Sequence, residues 1–259
     1  MTNVRLLHLP KITDRRGSLS FIETGCGGID FDALSEVCWW SSETSRNVKR
    51  QAEQSEILIA LSGNIEILAN DSKYTLDSAE KGLYIPMGTS RSKEQYSPDA
   101  ICLILRPDSS HVDVVQSLKG NKYISVDDCS LFCFPHRKDG VVGFGLAKTL
   151  PFPVRRVFYI YDIPQGATRG GHMHKTCHEI LIAVSGSFEV ELDDGENKKT
   201  VLLDNPACGL HIPPDMWAIE RNFTEDAVCL VLTSEKYDEA GYVNSYSEYK
   251  NYRKDGNRN

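Results

Sequence analysis

The sequence predicts an all-β protein built as two tandem jelly-roll β-barrels. Three observations carry that expectation. The chain repeats itself, each half is a series of short apolar runs separated by Gly, Pro and Asp turns, and helical periodicity is scarce. Many short strands with such turns read as a sandwich or barrel.

The repeat is explicit. Glu56-Ile-Leu-Ile-Ala-Leu-Ser-Gly63 matches Glu179-Ile-Leu-Ile-Ala-Val-Ser-Gly186. Gly82-Leu-Tyr-Ile-Pro86 matches Gly209-Leu-His-Ile-Pro213, and Asp99 to Leu105 matches Asp226 to Leu232. The offset is 123 residues at the first match and 127 at the other two, which places four extra residues around Leu192-Asp193-Asp194-Gly195. Matches kept in order, with one localised insertion, mean duplication. The expected division is 1–127 and 128–259, at the polar stretch LKGNKYISVDD. The expected strands are LLHLP, GSLSFIE, EVCWWSS, EILIAL, NIEILA, GLYIP and ICLILR in the first half. In the second they are LFCFP, VVGFGLA, VFYIYDI, EILIAV, SFEVEL, KTVLL, GLHIP and VCLVLT. One weak helix is expected near Tyr237 to Tyr249.

Composition bounds the function. Apolar content of 41% supports a real core. A net charge of -7 without Lys/Arg blocks argues against nucleic acid. No 18-residue apolar run and no cationic, apolar leader follow Met1, so a cytoplasmic protein without a membrane partner is expected. The eight cysteines form no CxxC pair and read as reduced structural thiols.

The chemistry concentrates in the second half. Gly166, His172, His174, Glu179 and Gly186 reproduce the first motif of the cupins: Gly, five residues, His-x-His, four residues, Glu, six residues, Gly. Two tandem cupin domains are therefore expected. His172 and His174 share one face of an extended strand. A hairpin around Ser185-Gly186 is expected to fold Glu179 back beside them. Such a trio either holds a metal or moves protons. The second cupin motif favours proton transfer without a metal. Pro213-Pro214-Asp215 occupies its place and Asn222 follows on schedule, but its histidine position is Ala218. In the first half, Lys49 and Gln51 replace the two histidines, Arg91 stands at the second-motif position, and Arg46 matches Arg169. Trp39-Trp40 matches Tyr159-Ile160, so one tryptophan is expected to fill a cavity that has lost its histidines. The first domain is expected to be degenerate and non-catalytic.

Arg155 to Pro164, Arg169 to Lys175, Gly209 to Pro214 with Trp217, and Val231 to Glu239 followed by Tyr242 resemble the cupin 3,4-ketoisomerases acting on dTDP-4-keto-6-deoxyglucose. The resemblance covers roughly 130–250, with a weaker echo at 5–105 that includes Asp14-Arg-Arg-Gly17. It implies a cofactor-free enzyme of 3-amino-3,6-dideoxysugar synthesis for bacterial surface glycans. It also implies a homodimer with exchanged N-terminal strands, or a monomer whose two cupins replace that dimer. The expected catalytic residues are His172 and His174, one as base at C3 and the other as shuttle between oxygens, with Tyr159 or Tyr161 as hydroxyl donor. Arg169 is the expected diphosphate clamp and Glu179 the group orienting an imidazole. Lys175, Trp217 and Arg156 complete the expected ligand-contacting set. Rival readings are a nucleotide-sugar epimerase, a metal-dependent cupin enzyme using His172, His174 and Glu179, and a non-catalytic sugar-binding bicupin.

Overall fold

The computed structural model describes residues 3–41, 50–108, 124–134, 142–146 and 150–256. Among them there are four β-sheets and one α-helix, Tyr246–Gly256. No helix is long and apolar enough to cross a membrane. Contacts divide the chain into two units. The first comprises Met1–Lys11, Ser20–Val112 and Phe134–Pro153; the second comprises Ile12–Leu19, Asp113–Cys133 and Val154–Asn259. They differ from a cut between residues 127 and 128 in three segments, 12–19, 113–127 and 134–153, each grouped with the other repeat.

The second unit shows why. Its seven-stranded sheet runs in the order Ser130–Cys133, Cys208–Ile212, Glu179–Ser185, Val228–Thr233, Arg156–Tyr161, Gly17–Glu23, Lys11–Asp14. The last two strands come from the first repeat. Reciprocally, Val142–Leu146 of the second repeat pairs with Ala33–Ser41 in the six-stranded sheet of the first unit. The strand exchange expected between subunits of a dimer thus occurs between repeats of one chain. Gly17 makes the close approach possible. Its φ is +107°, and a Cβ there would lie 2.7 Å from the Asp162 carbonyl oxygen and 2.9 Å from that of Tyr161.

The five-stranded sheet has the order Lys198–Leu203, Phe188–Asp193, Trp217–Arg221, Arg169–His174, Tyr242–Val243. One core fills the space between the sheets. Ile160, Leu181, Ala183, Leu210, Cys229 and Val231 come from the larger sheet; Phe188, Val190, Leu192, Leu203 and Ala218 come from the smaller. Val228–Thr233 is buried at every position, as a central strand covered on both faces requires.

Two expectations change here. The strands flanking Ser185-Gly186 do not pair as a hairpin. Glu179–Ser185 pairs with Cys208–Ile212 and Val228–Thr233, whereas Phe188–Asp193 pairs with Lys198–Leu203 and Trp217–Arg221. The turn carries the chain from one sheet to the other, so Glu179 meets the histidines across the core. The helix begins at Tyr246 rather than near Tyr237, because Tyr242–Val243 is drawn into the sheet beside His174. Tyr249 then anchors the helix by donating to the Asp193 carbonyl at 2.6 Å.

The insertion lies where the repeat offset puts it. Ile65–Ala69 and Ser72–Leu76 are joined through Asn70 and Asp71, both at positive φ. In the second unit each strand of this hairpin is one residue longer and the turn two residues longer, which accounts for all four extra residues. Cys133 and Cys208, opposite each other on paired strands, are joined by a disulfide, against the expectation of reduced thiols throughout.

In the first unit Trp40 points into the core between the sheets, with Leu58, Ile67 and Cys102. Arg91 is fully buried there, 3.1 Å from Glu56 and 3.2 Å from Glu94. Arg106 pairs with Glu36 and reaches the second Glu56 oxygen at 3.4 Å. The carboxylate matched to Glu179 is therefore bound up between two arginines. Arg46 and Lys49 lie outside the described residues.

Gly17→Ala is expected to destabilise the protein by about 2 kcal/mol or more, since strained φ and backbone overlap add. Gly25→Ala, at φ +88° in open space, is expected to cost about 1 kcal/mol. Chemical denaturation of both variants checks the difference.

Candidate active site

The strand Arg169–His174 builds the site. Its register against Trp217–Arg221 shifts between Gly170 and His172, a bulge with Gly170 at φ +66° and Gly171 at +73°. Beyond the bulge His172 lies opposite Ala218 and Met173 opposite Trp217. Ala218 belongs to the core between the sheets, so His172 and His174 face inwards. Met173 and Trp217 face the other way and pack with Val243 and Tyr249. Asp215 sits at φ +66° where the second motif has glycine, so the turn survives although the motif histidine does not.

The two imidazoles meet edge to face. Their Nε2 atoms lie 3.2 Å apart, and Glu179 Oε1 lies 3.2 Å from His174 Nε2. Burial opposes the charged form of both rings, but their neighbours separate them. The His174 value is raised above the usual 6.5, because the attraction of Glu179 and a hydrogen bond to it outweigh burial. The His172 value is lowered, because burial dominates and the Glu179 attraction is weaker there. The His172 ring also hydrogen-bonds the Gly170 backbone. With Nε2 facing His174, that bond falls to Nδ1 and leaves the Nε2 lone pair as the basic site. Glu179 itself is buried, yet the imidazoles and Arg156 hold its carboxyl down at about 2. Adjacent groups pushed apart in this way form an acid and base pair.

Tyr242 closes the group. It lies opposite His174, with its ring 4.3 Å from the His174 ring and 5.0 Å from His172. Its hydroxyl accepts a hydrogen bond from Arg156, and burial pushes its value up to about 12. The Arg156 guanidinium also lies over the rings of Phe158 and Tyr237.

The structure sorts the expected residues. His172, His174, Glu179 and Arg156 come together. Arg169 is buried at the other end of the bulge, 3.9 Å from Asp14, with Nε and Nη2 lacking hydrogen-bond partners. Tyr159 and Tyr161 do not reach the histidines. Phe158 and Ile160 face the core opposite Val231 and Cys229, so alternation sends both tyrosines to the opposite face of the strand. Trp217 faces away for the same reason. Lys175 points out and donates to the Ala240 carbonyl at 2.8 Å. Two inward groups were not singled out from sequence: Tyr242, present only within the family-like run, and Glu220, which lies in phase with Ala218. The donor atoms of His172, His174 and Glu179 fall within 4.8 Å of one another, so this set also suits a divalent cation.

Comparison with known proteins follows the same lines. A family model, FdtA: WxcM-like, C-terminal, matches residues 2–113 and 127–254. The TDP-4-oxo-6-deoxy-alpha-D-glucose-3,4-oxoisomerase of Aneurinibacillus thermoaerophilus is 40% identical over 105 residues, 40% of this chain and 76% of that protein. The sugar 3,4-ketoisomerase QdtA of Thermoanaerobacterium thermosaccharolyticum, solved with TDP, is 34% identical with a TM-score of 0.48; the match covers 51% of this chain and 98% of that one. A 3,4-ketoisomerase from Helicobacter canadensis is 36% identical with a TM-score of 0.46, covering 49% of this chain and 98% of that one.

The ion pair has a pH signature. Glu179 sits below its ordinary 4.5, so its contribution is complete above that pH and is lost as pH falls towards about 2. His174 sits above its ordinary 6.5, so its contribution is complete below that pH and is lost as pH rises through the folded value. Both are present together between 4.5 and 6.5. Glu179→Gln is expected to cost about 1–3 kcal/mol in that window, with a smaller gap to wild type on either side. Denaturant titrations at several pH values check it.

Proposed function

The chain belongs to the FdtA, WxcM-like C-terminal family, and from that premise we propose that its second unit is a 3,4-ketoisomerase of a dTDP-linked 4-keto-6-deoxyglucose. The product is the corresponding 3-keto sugar, the form an aminotransferase needs to install a 3-amino group. A cytoplasmic location goes with this proposal. The observation that carries the mechanism is the contact of the two imidazoles with each other, and of one of them, His174, with the Glu179 carboxylate.

The reaction moves a ketone from C4 to C3. A proton leaves C3 and one arrives at C4; another leaves the C3 hydroxyl and one arrives at O4. His172, uncharged and with its Nε2 lone pair directed inwards, is the base at C3 and returns the proton to C4. His174, whose charged form Glu179 favours, stabilises the negative charge that develops on oxygen in the enediolate. Tyr242, positioned by Arg156, adds a hydroxyl at the same place. Arg169 has unpartnered donors suited to a diphosphate oxygen. In the first unit Arg91 and Arg106 occupy Glu56, and Gln51 replaces the second histidine, which supports a non-catalytic role.

A second reading rests on the donor set that suits a metal. One experiment separates the two. Chelator-treated protein is mixed with dTDP-4-keto-6-deoxyglucose and the ketone is followed by NMR. Migration to C3 without added metal is expected; migration only after metal is added favours the second reading, and none under either condition contradicts both. His172→Ala is expected to lower turnover by about 100-fold or more. Tyr242→Phe is expected to lower it about tenfold, and Tyr159→Phe to leave it near wild type.

A further inference from the structure

Asp215 breaks a pattern that the first repeat keeps. It stands at φ +66°, a region that glycine enters without steric cost, in the turn between Cys208–Ile212 and Trp217–Arg221. The matching position of the first repeat, at the offset of 127, is Gly88, at φ +82° with open space where a Cβ would stand. Both turns close in the same manner. The Gly88 N–H donates to the Ala52 carbonyl at 2.7 Å, and the Asp215 N–H donates to the His174 carbonyl at 2.8 Å. The turn itself therefore needs no carboxyl, and the aspartate has another use.

The C-terminal helix supplies that use. Tyr252 donates its hydroxyl to Asp215 Oδ1 at 2.8 Å, and the Tyr249 hydroxyl reaches the Asp215 carbonyl at 3.3 Å. Among the described residues the first unit, whose turn has glycine, holds no α-helix. The helix also backs the histidine strand directly. Buried Tyr249 packs with Met173, which lies between His172 and His174. Asp215 then joins the helix to the end of that strand. Its side chain takes a bond from the helix, and its backbone gives one to the residue whose ring meets both His172 and Glu179. His174 is the last residue of its strand, and the Asp215 bond lies one step beyond the pairing of Met173 with Trp217. A peptide at a strand end is held in orientation by such a rung. Rotation there swings the Cβ and the imidazole it carries.

We propose that Asp215 is a positioning residue for His174, carrying the hold of the C-terminal helix to the imidazole, with the Tyr252 hydroxyl as the other half of the tie. It rests on the ketoisomerase reading and adds the device that holds one of its groups. In that reading His174 stabilises charge on a substrate oxygen, and such stabilisation depends on a donor fixed before the reaction begins. Asp215 and Tyr252 act through His174, not on the sugar. They keep its Nε2 at 3.2 Å from the His172 ring and from the Glu179 carboxylate.

Three variants test the tie. Asp215→Gly removes the acceptor and relaxes the φ, as Gly88 shows for the same turn. Tyr252→Phe removes the donor at a residue that is 40% exposed, so the core is left intact. Asp215→Asn keeps an oxygen acceptor and tolerates the left-handed conformation. With dTDP-4-keto-6-deoxyglucose as substrate, kcat is expected to fall about tenfold in Asp215→Gly and Tyr252→Phe while KM stays within about twofold. Asp215→Asn is expected to recover most of kcat. The thermal midpoint of Asp215→Gly is expected within about 4 °C of wild type, so that the loss of rate is not a loss of fold. In the ligand-free proteins, the ring nitrogen signals of His174 are expected to move in Asp215→Gly and Tyr252→Phe and to hold in Asp215→Asn. Unchanged kcat in the first two variants, or a fall in kcat matched by a collapse in stability, overturns the proposal. If Asp215→Gly does not fold, Tyr252→Phe carries the same test. A wild type that moves no ketone defeats the parent reading; the His174 signals of Tyr252→Phe then decide the tie alone, shifted in its favour and unshifted against it.

Discussion

The contact between Glu179 and His174 is the interaction on which the second unit depends. It joins the two sheets of the barrel at one point: Glu179 projects from the larger sheet and His174 from the smaller. Burying a carboxylate is costly, and a cation beside it offsets that cost only with good geometry. Here one carboxylate serves two unequal imidazoles, the nearer one favoured as a cation and the farther one kept neutral. Two histidines of identical chemistry thereby acquire pKa shifts of opposite sign. The glycine bulge before His172 and the ring of Tyr242 fix the geometry from either side.

The first unit shows the same scaffold with the charge problem solved differently. Glu56 occupies the place of Glu179 in its strand, but Arg91 and Arg106 take both of its oxygens, and Arg91 also meets Glu94. Guanidinium groups do not give up protons near neutrality, so this interior is fixed where the other titrates. Duplication left one barrel with a permanent ion network and Trp40 in its core, and the other with two imidazoles in contact beside one carboxylate. The strand exchange between repeats makes neither barrel the product of one repeat alone.

Much of this was legible in the sequence because cupin spacing and strand alternation are local rules. The repeat, the inserted hairpin, most strands and the inward pair His172 and His174 followed from periodicity and spacing. What failed did so where tertiary context decides. Alternation showed that Tyr159 and Tyr161 share a face but not which face, and the register with Val231 and Cys229 turned them outwards. The run around Ser185-Gly186 read as a hairpin because sequence does not reveal that its two arms join different sheets. Polar strands such as Lys11–Asp14 and Ser90–Tyr96 lack the apolar alternation that marks a strand, so they were not foreseen. Glu220 was invisible for a related reason: a glutamate in a polar stretch reads as solvated until its strand is placed.

The most direct test of the central claim is long-range 1H–15N NMR of the histidine rings in the ligand-free protein across a pH titration. The account predicts that His174 titrates above 6.5 and His172 below it, so that on raising the pH His172 loses its second ring proton first. Two rings that titrate together, or in the reverse order, would contradict the division of roles on which the mechanism rests.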